Sequence, residues 1–123
     1  MTTYTVDKDG NSIETSKATS KPSDRHFRGA WTLSGTVISE DMATAKTMFK
    51  DKIRDVRKPL LEAQDVLYMK AIEDGDSSAQ STVATKKKEL RDAPAASAIT
   101  NAKTVAELKA AWNTSLLGTS PYA

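Results

Sequence analysis

The sequence predicts a mainly α-helical protein: an antiparallel helical hairpin with a kinked long first helix, a short C-terminal helix, and an extended N-terminal arm with a small β-hairpin. Three observations predict it. Apolar residues between positions 42 and 67 recur in steps of three or four, the period of one helix face. Gly75 and Pro94 bracket the next stretch, so that a second helix fits between them and returns along the first. The first third of the chain is polar and rich in turn formers, with little to bury. The chain therefore divides into a polar arm, residues 1–21, and a helical domain, residues 22–123, with the hairpin over about 39–93 and the last helix over about 104–117.

Within the arm, Tyr4 to Val6 and Ser12 to Glu14 flank Asp9-Gly10-Asn11, a strong turn former, and this spacing allows a short hairpin. The following "ETSKATSKPSD" has only Ala18 to bury and is expected to be a flexible linker or an arm lying along another protein. After Pro22, Ser23 or Asp24 is placed to cap a helical turn that sets Phe27 and Trp31 on one face, with Arg25 and Arg28 pointing elsewhere. "TLSGTVIS" is β-branched and broken at Gly35, which predicts a short strand leading into the next helix.

Ser39 is the expected N-cap of the long helix, with Glu40 and Asp41 in its first turn, where negative charge meets the positive end of the helix dipole. The stripe Met42, Ala45, Phe49, Ile53, Val56, Leu60, Ala63 and Leu67 defines the helix. Pro59 interrupts it chemically, because it removes the hydrogen bond to the carbonyl of Asp55 and crowds that turn, so a kink is expected near residues 57–59. Asp76 or Ser77 caps the second helix, Ser78 to Asp92, whose narrow apolar set is Ala79, Val83 and Leu90 and whose Lys86, Lys87 and Lys88 sit toward the C-terminal, negative end of the dipole. The predicted hairpin core is thus Met42, Phe49, Ile53, Val56, Leu60, Leu67, Val83 and Leu90. "APAASAITNAK" reads as a small-residue linker with one helical turn. Thr104 and Glu107 form a capping box that opens a last helix with Val105, Leu108 and Trp112 on its buried face, closing at Leu116, Leu117 and Gly118. "TSPYA" reads as a tail.

Composition narrows the functional classes. The chain has 123 residues, 38% hydrophobic and 28% charged, with a formal charge of +2. A core this thin favours a homo-oligomer or a fixed seat in a larger assembly. There is no cysteine and a single histidine, which excludes disulfides, thiolate catalysis and the usual zinc clusters. "MTTYTVDKDG" lacks the basic and apolar regions of a signal peptide, and no apolar run is long enough to span a bilayer, so the chain reads as soluble and intracellular.

"DKDGN" alternates Asp7, Asp9 and Asn11 as calcium ligands would. Its glycine stands at the wrong position, however, and Ala18 occupies the place of the bidentate acid, so a turn is the better reading. His26 has no nucleophile or orienting acid beside it in sequence, and there is no phosphate loop, His pair or nucleophile elbow; no catalytic residue, metal ligand or cofactor is assigned.

Arg25, Phe27, Arg28 and Trp31 interleave bases with aromatics. They read first as the edge of a core, next as partner contacts together with Trp112, and last as a nucleic-acid platform. Lys46, Lys50, Lys52, Arg54, Arg57 and Lys58 form the one local basic excess, but Asp51, Asp55, Glu62 and Asp65 lie at pairing distance along the helix, which argues against nucleic acid as the partner.

Two segments carry a resemblance. "IRDVRKPLLEAQDVLYMKAIE" and "ATKKKELRDAP", through Arg54, Arg57, Leu60, Leu61, Ala63 and Asp65 and then Leu90, Arg91, Asp92 and Pro94, resemble the small tail-assembly chaperone and tail-accessory proteins of bacteriophages. The span from "DRHFRGAWTLSG" to "TSLLGTSPYA" also looks like short proteins encoded near the tail genes of marine phages. The resemblance implies a non-enzymatic tail structural or assembly protein whose partners are other tail or virion proteins. It implies residence in the host cytoplasm during assembly and then in the virion, or, for a transient chaperone, absence from the mature particle.

Overall fold

A single carboxylate organises the N-terminal region. Asp7 Oδ1 accepts the backbone N–H groups of Asp9 and Asn11, at 2.9 and 2.8 Å, and Oδ2 accepts the Asn11 side-chain amide at 3.2 Å. Gly10, at φ +85°, supplies the left-handed residue of this turn, a region that side chains beyond glycine enter at a cost. The turn joins β1 (Tyr4–Val6) to β2 (Ser12–Glu14), antiparallel and in the register Tyr4↔Glu14, Thr5↔Ile13, Val6↔Ser12. The hairpin expected from sequence is therefore present. This computed structural model describes residues 3–22 and 25–122. Ser23 and Asp24, the proposed caps of the next turn, lie outside the described residues.

"TLSGTVIS" departs from expectation. It is not one strand broken at Gly35 but a second hairpin, β3 (Trp31–Ser34) and β4 (Val37–Glu40), with Gly35 at φ +62° in its two-residue link. The physical reason is that β-branched residues stand on both sides of the glycine, so each half forms a ladder on the other. The stretch after β2 also departs from the flexible linker expected. It forms a single 3-10 turn, Thr15–Lys17, and then runs beside β4: the Thr19 N–H donates to the Thr36 carbonyl at 2.9 Å and the Ile38 N–H to the Ser20 carbonyl at 2.8 Å. The polar arm is laid along its own chain, with backbone hydrogen bonds taking the place of apolar burial.

The long helix, α1, spans Met42–Glu73. Its N-cap is Asp41 and not Ser39, because Ser39 is paired with Thr32 in the second hairpin. The Thr44 hydroxyl donates to the Asp41 carboxylate at 2.6 Å and holds that carboxyl below its ordinary pKa, against the opposing effect of desolvation. Helical structure continues through Pro59 without a break. Gly75, at φ +63°, turns the chain into α2 (Ser77–Asp92), capped by Asp76, which accepts the Ala79 N–H at 3.0 Å. The polar contacts run backwards along α1 as α2 advances: Gln80 to the carbonyl of Ala71, Lys87 to Asp65, and Arg57 to the carbonyls of Leu90 and Arg91.

Pro94 sits buried in a 3-10 turn that ends α2, and three short helices follow: α3 (Ser97–Asn101), α4 (Val105–Ala110) and α5 (Thr114–Leu117). The Thr104 cap is formed, its hydroxyl accepting the Glu107 N–H, while the Glu107 carboxylate reaches one residue beyond the usual capping-box partner and accepts the Lys103 N–H. The single last helix expected over 104–117 is instead two, because Asn113 caps a new start by accepting the Leu116 N–H at 3.1 Å. The terminal segment is no loose tail either: Tyr122 stacks on Phe27 and Phe49 and meets Trp112 edge-on.

These elements converge on one core, in which Phe27, Ala30, Phe49, Ile53, Leu90, Ile99 and Leu108 are almost wholly buried. Met42, Val56 and Leu60 pack against it from α1. Leu67, assigned to the hairpin core from its place in the stripe, is 47% exposed, and Ala63 before it is exposed too. The stripe continues in sequence, but the elements that cover it do not reach so far along the helix. Among the described residues, no helix is long and apolar enough to cross a membrane.

Candidate interaction surface

At 1.5 Å per residue, α1 is about 48 Å long, and its two halves have different surroundings. The near half, to Leu61, lies under the Arg28–Ala30 turn and α4 and α5. The far half has α2 beside it, and the buried hydrophobic side chains described there are Ala71 and Val83. The polar link Lys87–Asp65 and the Lys87 ammonium 5.8 Å from the Tyr68 ring tie the two helices together at this level. Such partly exposed contacts contribute about 0.5 kcal/mol each.

On this projecting half, Val66, Leu67, Met69 and Ile72 expose 61, 47, 58 and 48% of their surface. Val66, Met69 and Ile72 follow one another at steps of three, on the side of the helix turned away from the stripe. Isolated exposed apolar residues are ordinary; Val66, Met69 and Ile72 line up as one apolar strip that no described element covers, and Leu67 is exposed on the other side of the helix, toward α2. Leu67 also lines a groove of about 300 Å³ between the helices, with Ala71, Ala79 and Val83 as its floor and Asp74 and Asp76 at its end. Sequence reasoning missed this surface because it followed the core stripe. The signal was available: apolar residues at 66, 69 and 72 have no place on that stripe.

A second surface lies at the near end. Lys50, Arg54, Arg57 and Arg91, with Pro94 and Ala95, line a cleft of about 230 Å³. Arg54 is paired with Asp51 at 2.8 Å, and Arg57 donates to the carbonyls that end α2, where positive charge complements the helix dipole. Lys50 and Arg91 form no ion pair among the described residues. Of the basic stretch singled out in the sequence, Lys50, Arg54 and Arg57 line this cleft, Arg54 also pairing with Asp51 within the helix, while Lys46 donates to the Thr100 carbonyl at 2.8 Å.

The residues proposed as partner contacts are placed differently from one another. Phe27, Trp31 and Trp112 are buried, at 1, 1 and 6% exposure, so these aromatics face their own chain and not a neighbour. Phe27 stacks on Tyr122 at 5.0 Å, and the Trp112 indole N–H donates to the Gly118 carbonyl at 3.1 Å. Burial raises the Tyr122 pKa. Arg25 and Arg28 are exposed, and the Arg28 guanidinium lies 5.7 Å from the Trp31 ring. Phe27 belongs to the core, as the core-edge reading expects, whereas Trp31, equally buried, lies on β3 and outside the cluster that Phe27 joins. His26 meets the edge of Tyr122 at 5.5 Å.

The carboxylates of "DKDGN" serve backbone donors. Besides its own turn, Asp7 accepts the Leu33 N–H at 2.8 Å, while the Lys8 N–H donates to the Trp31 carbonyl, so the first hairpin is latched to the second. Burial opposes charge on Asp7, but the hydrogen bonds from Leu33, Asn11 and Asp9 outweigh it and hold the carboxyl below its usual pKa. Comparisons with protein-family models, with curated proteins and with solved structures find no match to this chain.

Proposed function

We propose that this chain is a non-enzymatic assembly protein that works through protein–protein contacts, as a structural or assembly component of a bacteriophage tail. The observation that carries the reading is the projecting half of the helical hairpin, where Val66, Met69 and Ile72 form an exposed apolar strip on one side and Leu67 borders the groove between the helices on the other. Contiguous apolar surface of this kind is characteristic of a binding face. The resemblance of residues 52–94 to tail-assembly chaperones and tail-accessory proteins supplies the setting: host cytoplasm during assembly, then the virion. A kink at Pro59 belongs to the same proposal, since it would set the angle at which the far half meets its neighbour.

Quantitative mass spectrometry of purified particles tests the reading. A structural component is present in fixed stoichiometry with the tail proteins. A chain found with tail proteins in infected cells but missing from finished particles is a transient chaperone that shields a hydrophobic segment. The double variant Val66→Ser, Met69→Ser should lower incorporation roughly tenfold while leaving the melting temperature unchanged, because neither side chain is buried in the fold. Full incorporation of that variant would move the contact elsewhere.

A further inference from the structure

We infer that a second copy of this chain is the occupant of the basic cleft, and that it enters with the acidic tip of its helical hairpin, head to tail. The inference rests on the proposed protein-contact function and names one partner for it.

Charge is segregated along α1. From position 62 to 76 the tip carries Glu62, Asp65, Glu73, Asp74 and Asp76 against Lys70 alone. Glu73 and Asp74 form no ion pair among the described residues. Among the described residues, the cleft at the other end is lined by four cations and no carboxylate, and two of the four, Lys50 and Arg91, form no ion pair there. Arg54 and Glu73 are nineteen residues apart on one helix, which is about 28 Å; this is well beyond the screening length of roughly 10 Å at 0.1 M salt. The two charge sets therefore cannot neutralise each other within one molecule, whereas between molecules they are complementary.

Apolar surface accompanies both. Met69 and Ile72 lie next to the acidic tip, and Ala95 with the methylene stems of the lining arginines and lysine forms the apolar part of the cleft. A contact in which a tip meets a cleft uses two different patches, so a pair still has one free tip, on one copy, and one free cleft, on the other, and association continues to a ring or a filament instead of stopping at a pair.

Light scattering and sedimentation of the full chain, at about 50 mM and about 500 mM salt, measure this directly, since pairing through exposed charges is weakened by screening. The expected result is concentration-dependent association beyond a dimer at low salt that is lost at high salt. Arg54→Glu with Arg91→Glu should be monomeric, as should Glu73→Lys with Asp74→Lys, and an equimolar mixture of the two double variants should associate again. The neutral pair Arg54→Gln, Arg91→Gln, with its circular dichroism and melting temperature checked, separates loss of contact from loss of fold. A wild-type chain that stays monomeric at low salt overturns the inference, and so does association that both double variants retain. Salt-sensitive binding of single-stranded DNA by a monomeric wild type, lost in Arg54→Glu with Arg91→Glu, would assign the cleft to nucleic acid instead. None of these outcomes bears on particle incorporation, which tests the proposed function separately.

Discussion

The near and far halves of α1 share one helix, one period and similar side chains, yet they differ in almost every physical respect. Phe49 and Ile53 are buried under two turns of short helix and the C-terminal aromatic cluster, whereas Leu67, on the same stripe, is 47% exposed. Helical periodicity states which residues share a face, but it does not state how far along the helix a cover extends. That extent is set by residues far away in sequence, here Phe27, Leu108, Trp112 and Tyr122, all of which meet the first half. An amphipathic stripe longer than its cover leaves an apolar end, here Leu67 and the groove it borders, and Val66, Met69 and Ile72 add exposed apolar surface on the opposite side of the same half.

The comparison is easiest to break at Phe49. Its ring is fully buried and touches both Trp112 and Tyr122, so Phe49→Ala should cost about 3 to 5 kcal/mol in chemical denaturation. A loss below 1 kcal/mol would mean that the near half is not the stable one.

A smaller, pH-dependent loss is expected at Asp7, which latches the two hairpins over the near end. Because the folded carboxyl has a lowered pKa, its stabilisation is present above the unfolded value near 3.9 and disappears as pH falls through the folded value. Asp7→Asn should therefore melt below the wild type at pH 7, and the gap should close as pH drops below about 4. A gap independent of pH over that range would show that the latch does not depend on the charged carboxylate.

The smallest effect belongs to the far half: Leu67→Ala should change stability by about 0.5 kcal/mol or less. A loss comparable with that at Phe49 would require cover that the isolated chain does not provide, and would sharpen the comparison by showing that the far half is buried by association.

What was legible in the sequence was local. Asp9-Gly10-Asn11 marked the first hairpin, Asp76 and Thr104 the caps of α2 and α4, Gly75 the turn between the long helices, and the 3.6-residue stripe the whole of α1, because each of these depends on bonds between residues a few positions apart. The cap at Asp41 in place of Ser39, the second hairpin around Gly35 and the restart at Asn113 were not legible, because in each case two local solutions compete and long-range pairing chooses between them. The candidate surface shows the same division. The basic stretch could be counted from the sequence, but the cleft that part of it lines required Arg91 and Pro94 to be brought beside Lys50 and Arg54. The sequence by itself determined the helical period and the turns at Gly10 and Gly75. Only the tertiary structure decided where burial stops, because burial depends on which distant side chains arrive, and beyond Leu61 the aromatic cluster and short helices do not extend.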